Sequence, residues 1–325
     1  MERDKDMKKK KGTFAKSFFI TLACVLVGLT VWHQLSSMSE KKDYLGTFEA
    51  NYVDIDGKKL SYEIFGEGNE RTIVFLPAAG EFAPSISYRK FLNEMSKDNK
   101  IIVLEPFGYG LSDETDKPRT VENVVSELHG AVDQLGIEKY YLMAHSWGGV
   151  DALLWANEYT DEVQGFIGID PSVPGMEELK MAHIRVVDIE SVGKGFGKAV
   201  DFIGFARLMQ IFSGTGLDES LFSSEEIEKY RFLSRNKAYT SNITDEVFGA
   251  KRSLKSLSGK KFPEAVPVLN LVSSNNCESL PEWKTIHEAV GNNNPGSKLV
   301  VVEGDHYLTN SNPDAVLKEI RGWLK

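Results

Sequence analysis

Three apolar patterns follow one another along the chain. Ser17 to Trp32 is an uninterrupted run with no charged residue, apolar on every side of any helix it forms. From Phe48 the pattern becomes an alternation, Tyr52 and Ile55 and then Leu60, Tyr62 and Ile64, around Asp56-Gly57, a dipeptide suited to a primed hairpin turn. Beyond it, short apolar runs at Ile73–Leu76, Ile101–Leu104, Tyr140–Met143, Phe166–Ile169, Val266–Val272 and Leu299–Val302 read as buried strands. Between most of them lie helical patterns near Ser85–Met95, Val121–Leu135, Gly148–Asn157, Leu280–Val290 and Pro313–Leu324. Strand-helix alternation of this kind implies a mostly parallel sheet covered on both faces. One interval breaks the rhythm: residues 172–262 hold amphipathic helical patterns, including Phe196–Phe212 and the capping box Ser223-Ser-Glu-Glu226, but no convincing strand. An insertion of that size between two strands reads as a helical cap over one sheet edge.

Charge divides the chain differently. The first 16 residues carry seven cations (Arg3, Lys5, Lys8, Lys9, Lys10, Lys11, Lys16) against Glu2, Asp4 and Asp6, so the net −9 of the whole chain is −13 over residues 17–325. An acidic domain of this sort is no nucleic-acid binder. Cys24 and Cys277 are too few for a disulfide framework or a zinc site. The apolar run spans roughly 24 Å as a helix, close to a hydrocarbon core of about 30 Å once Lys16 snorkels and Trp32 sits at the interface. The expected organisation is a basic stub at 1–16, a transmembrane signal anchor at 17–35, a polar linker at 36–47, a core at 48–171 and 263–325, and the cap at 172–262. By the positive-inside rule the N-terminus is cytoplasmic, and the rest faces outward on the cell membrane. Cleavage near Ser37 or Ser39, giving a secreted protein, is the alternative.

The chemistry is concentrated in Tyr140-Tyr-Leu-Met-Ala-His-Ser146-Trp-Gly-Gly149. A buried strand enters small-x-Ser-x-Gly and then a helix, the context of a nucleophile elbow, in which a strained turn lifts the serine above the strand ends. A serine hydroxyl needs an imidazole to remove its proton. Of the six histidines, His33 is beside the anchor, His129 and His287 fall in helical patterns and His183 in the cap; His145 adjoins the serine but points elsewhere. His306, between a strand and a helix, is the expected base.

Four stretches in order, Val74-Phe-Leu-Pro-Ala-Ala-Gly80, Glu105-Pro-Phe-Gly-Tyr-Gly-Leu-Ser-Asp113, Ala144-His-Ser-Trp-Gly-Gly149 and Gly304-Asp-His-Tyr-Leu308, make residues 48–325 resemble the α/β-hydrolase superfamily. The resemblance implies an α/β-hydrolase fold and a Ser-His-acid triad with Ser146 as nucleophile and His306 as base. The acid departs from the family pattern, because Asn276 stands where an Asp is frequent. Two carboxylates compete for the role: Asp170, at the end of the preceding strand, and Glu278, two residues past the usual place. The oxyanion loop also departs, with Pro77-Ala78 where many relatives read His-Gly. Its donors are backbone N–H groups, those of Ala79 and Trp147, and these survive the change.

Aromatic residues in and near the cap, with Phe82, Phe205 and Phe212 foremost, are expected to line an apolar pocket for a small or medium substrate. No metal-ligand spacing, phosphate cradle or dinucleotide fingerprint occurs in the sequence, so no cofactor and no metal are expected. The partners expected are a small-molecule substrate and, through the N-terminal helix, membrane lipid. The reading reached is a serine hydrolase cleaving an ester-like bond. An aminopeptidase, a thioesterase or a carbon–carbon hydrolase would use the same residues, and an inactive scaffold acting as a binding or receptor module is the reading from a different class.

Overall fold

A computed structural model describes residues 2–44, 47–179 and 197–325. Eight strands form one sheet: β1 (Asn51–Ile55), β2 (Lys58–Phe65), β3 (Thr72–Leu76), β4 (Lys100–Leu104), β5 (Tyr140–His145), β6 (Val163–Ile169), β7 (Val268–Ser273) and β8 (Lys298–Val302). Their spatial order is β1-β2-β4-β3-β5-β6-β7-β8. The hairpin pairs antiparallel through a turn in which Asp56 and Gly57 both have positive φ, and β2 meets β4 antiparallel; every later pair is parallel.

Alternate side chains of each run enter opposite cores. Val74 and Leu76 join the apolar cluster under helices Val121–Gln134 and Gly148–Glu158, while Ile73 and Phe75 join the one under Arg89–Met95 and Pro313–Trp323. This double cover is why the strands read as continuous apolar runs. Thr120 caps the helix after it by accepting from the Asn123 amide, and the capping box at Ser223 and Glu226 forms in both directions.

Three expected helices begin or break elsewhere, and the one expected over Ser85–Met95 divides at Tyr88 into Pro84–Ser87 and Arg89–Met95. The one expected over Leu280–Val290 starts at Trp283, because Pro281 holds Leu280 extended (φ −132°, ψ 91°), and a separate short helix, Ser274–Ser279, precedes it. The pattern at Phe196–Phe212 is interrupted at Gly204, whose φ is +74°. A Cβ there would lie 2.5 Å from the His33 ring, so glycine lets this segment approach the N-terminal helix. Phe196 and His183 lie outside the described residues. Between β6 and β7 stand helices Phe205–Ser213, Ser224–Lys237 and Ser241–Ser256, and among the described residues this interval holds no strand. The last is pinned to the core where the Asn242 side chain donates to the Thr115 carbonyl (2.7 Å) and accepts from its amide (2.9 Å).

The N-terminal segment differs most from expectation. One helix runs from Glu2 to Tyr44, so the segment expected as a linker, 36–47, is helical through Tyr44. Its polar residues are docking groups. The Glu40 carboxylate takes both arms of Arg207 (2.6 and 2.8 Å), with Arg235 (3.0 Å) and Asn236 (2.9 Å) beside them. Tyr44 and Phe48 stack, and both pack on Phe232. Burial works against the Glu40 charge, but the hydrogen bonds from Arg207 and Asn236 outweigh it and lower its pKa. The upper part is left bare: Lys16–Tyr44 contains an 18-residue window of mean hydropathy 1.8 that is 6% buried.

Removing Arg207 takes the bidentate partner from a mostly buried carboxylate and leaves it Arg235 and Asn236, which weakens the docking. In Arg207→Ala, amide hydrogen exchange over residues 36–44 is expected to accelerate, while that of the sheet is unchanged; unaltered exchange in both would contradict this account of the docking.

Candidate active site

At the C-terminal end of β5 the chain turns sharply into helix Gly148–Glu158, and Ser146 takes a φ of +50°. A side chain that carries this strain must be held by its neighbours. Here they leave no room for larger residues: a Cβ on Gly148 would sit 2.5 Å from the Leu76 carbonyl oxygen, and one on Gly149 would strike Pro171.

Three side chains from three sheet ends meet at this turn. Ser146 Oγ lies 2.9 Å from His306 Nε2, and His306 Nδ1 lies 2.7 Å from Asp170 Oδ2. The carboxylate only accepts, so Nδ1 carries the proton and Nε2 is left bare to take that of the serine. Asp170 follows β6, itself with a positive φ of 42°. Its side chain is fully buried and accepts four further hydrogen bonds: from the Ser273 amide (2.9 Å), Ser273 Oγ (3.1 Å), Asn276 Nδ2 (2.6 Å) and Trp283 Nε1 (2.9 Å). Burial pushes its pKa up, yet the bonds from His306 and the Ser273 amide prevail and hold it below the ordinary value. The carboxylate is therefore ionised at neutral pH.

Of the two carboxylates left open by the sequence, Asp170 is the one on the imidazole. Glu278 is exposed on Ser274–Ser279, while His306 Nδ1 is taken from the β6 side. Asn276, at the place where the resemblance led an acid to be expected, donates to Asp170 instead, so the carboxylate after β6 is clamped by an amide after β7.

The donors expected for an oxyanion, the amides of Ala79 and Trp147, make no hydrogen bond to a described residue. Next to Ala79, the Gly80 amide donates to Tyr109 Oη (3.1 Å), which donates to Glu246 Oε1 of the cap (3.0 Å). Burial raises the Glu246 pKa to about 7. Tyr109 sits within the Glu105–Asp113 stretch, but nothing in the sequence pairs it with Glu246, which lies 137 positions away and in no motif. The sequence reading also missed the support behind His306. His145 Nε2 donates to the His306 carbonyl (3.0 Å) and its Nδ1 accepts from Tyr88 Oη (2.7 Å).

The expected pocket residues separate. Phe82 packs under the cap against Tyr230, at 5.1 Å between ring centres. Phe205 and Phe212 do not turn inward as expected: they are 40% and 78% exposed, because the inner face of their helix is occupied by Arg207 against Glu40 and by helix Ser224–Lys237. Elsewhere His129 pairs with Glu162 and His287 is buried against the Pro171 carbonyl, so neither competes for the serine. Among the described residues no cluster of His, Cys, Asp and Glu could hold a metal.

A serine on a nucleophile elbow, backed by a histidine and a buried carboxylate on a mostly parallel sheet, is the arrangement of an α/β hydrolase. A family model described as alpha/beta hydrolase fold matches residues 71–219. The chain is 26% identical over 312 residues to the uncharacterized protein YbdG of Bacillus subtilis (strain 168), covering 93% of this chain and 94% of that one. It is 29% identical over 232 residues to epoxide hydrolase 1 of Caenorhabditis elegans, covering 69% of this chain but about half, 52%, of that enzyme. The crystal structure of the epoxide hydrolase VrEH1 from Vigna radiata superposes with a TM-score of 0.61 at 16% identity, over 85% of this chain and 97% of that one. Residues 71–219 therefore match the α/β-hydrolase family, and the chain has the α/β-hydrolase fold.

Burial, with the charge of His306 next, lowers the His145 pKa from its ordinary 6.5 to about 4. A chain that unfolds lets this imidazole take a proton first, so stability is full above about pH 6.5 and declines as the pH falls toward 4. Thermal unfolding at pH 7 and pH 5 should show a smaller pH-dependent loss in His145→Gln than in the wild type; equal losses would mean that His145 does not titrate as described.

Proposed function

We propose that this protein is a serine hydrolase that cleaves an ester-like bond of an apolar acyl substrate, held at the membrane by its N-terminal helix. The observation that carries the reading is the continuous hydrogen-bonded chain from Ser146 Oγ through His306 to Asp170. Ser146 attacks the carbonyl carbon while His306 Nε2 takes the hydroxyl proton. Negative charge develops on the carbonyl oxygen, and the amides of Ala79 and Trp147 are the donors assigned to it. His306 then protonates the leaving alcohol. In the second half it deprotonates water, which releases the acid from the acyl-serine. Asp170 keeps the imidazole in the tautomer this needs and offsets its charge when it is protonated.

Chemistry argues for an acyl substrate over the epoxide in the relative's name. A serine alkoxide that opens an epoxide leaves an alkyl ether on the enzyme, which water and an imidazole do not cleave. An acyl-serine is an ester, which they do. The anchor reading rests on the bare apolar window at Lys16–Tyr44 and the cations before it, which keep the N-terminus cytoplasmic and the hydrolase outside.

A fluorophosphonate probe should label the wild type and not Ser146→Ala or His306→Ala. Turnover of a p-nitrophenyl ester should fall by about 10³ to 10⁴ in Asp170→Asn and little in Glu278→Gln. Labelling that persists without Ser146, or that never occurs in folded protein, would instead favour the inactive scaffold.

A further inference from the structure

The apolar N-terminal helix and the cap are one packed unit. Gln34 Nε2 donates to the Phe202 carbonyl (3.3 Å), Gly204 closes on His33, and the Arg207 guanidinium lies 5.8 Å from the Trp32 ring centre. Trp32, Arg207, Gln210 and Ile211 share one cavity wall. All of these contacts fall at the end of the uncharged run, where a membrane-crossing helix leaves the hydrocarbon core and an indole marks the interface.

Helix Phe205–Ser213 has a single charged residue, Arg207, and it is turned inward: its side chain is 5% exposed, bound to Glu40. What the helix and its flanks present outward is apolar. Phe202, Ile211 and Phe212 are 60%, 63% and 78% exposed, and Phe205 and Leu221 are exposed beside them. Trp32 lies against Arg207 near the start of this nine-residue helix and lines one cavity with Ile211 and Gly214 at its end, so the helix stays near the level of Trp32.

The geometry points to this cap face as a second membrane contact, lying in the interfacial layer of the leaflet that Trp32 reaches. The occupant is lipid, because the surface is continuous with a helix whose own apolar side chains are bare, and an amphipathic helix with its charge withdrawn suits the boundary of headgroups and acyl chains. The inference rests on the proposed membrane anchor and goes beyond it: the cap is held against the bilayer, not merely tethered near it.

The test uses the full chain with Cys24→Ser and Cys277→Ser, reconstituted in phosphatidylcholine/phosphatidylglycerol vesicles. An environment-sensitive fluorophore is attached through Phe212→Cys, Leu26→Cys or Glu138→Cys, the last an exposed site at the opposite sheet edge. The expected result is blue-shifted emission at positions 212 and 26, lost when doxyl-labelled lipid is present and insensitive to aqueous iodide, with the reverse at 138. Lipid quenching at 26 with iodide quenching at 212 would overturn the proposal and leave the anchor standing. Absence of lipid quenching at both would overturn the anchor and the proposal together. Shielding of 212 from both quenchers would assign the face to protein, such as a second copy of the chain, and also overturn the proposal.

Discussion

Everything at the candidate site depends on keeping one carboxylate charged where no water reaches it. An ionised Asp170 with no partners would be expensive to bury, and five hydrogen-bond donors from three parts of the chain make it tolerable. Those donors also restrict its orientation. Oδ1 is occupied by the Ser273 amide and the Trp283 indole, and Oδ2 is left to face His306. The tautomer of the imidazole, and hence the basicity offered to Ser146, follows from that restriction. The parallel register of β5, β6, β7 and β8 brings the four contributing loops to the same sheet edge.

The second constraint is backbone strain. Ser146 and Asp170 both occupy the left-handed region, where side chains other than glycine are uncommon. Each stands at the end of a strand inside a well-packed sheet, which supplies the restraint that such conformations require. Behind them, His145 joins β5 to the loop of His306, and Tyr109 joins the loop of Gly80 to Glu246 of the cap. The cap therefore reaches this part of the chain through the Tyr109 hydroxyl and through Tyr230 packed on Phe82.

Much of this was legible in the amino-acid order, for physical reasons. Runs such as Ile101–Leu104 must be buried on both faces, and small residues around Ser146 are required wherever a strand turns so tightly into a helix. Asp170 and Glu278 could not be separated because the choice depends on which strand end lies beside His306, a matter of three-dimensional register. Ser37 and Glu40 read as linker because their partners Arg207, Arg235 and Asn236 lie more than 160 positions away. Phe205 and Phe212 show the same limit: periodicity gives an amphipathic helix without saying what covers it.

The proposed chemistry places the acyl group on Ser146, whereas relatives such as epoxide hydrolase 1 are named for a different functional group. Rapid quenching of the enzyme with an activated ester, followed by peptide mass analysis, addresses this directly. The expected result is an acyl adduct on the peptide containing Ser146 that disappears as hydrolysis proceeds and is absent from Ser146→Ala. Turnover with the adduct on another residue, or in Ser146→Ala at the wild-type rate, would contradict it.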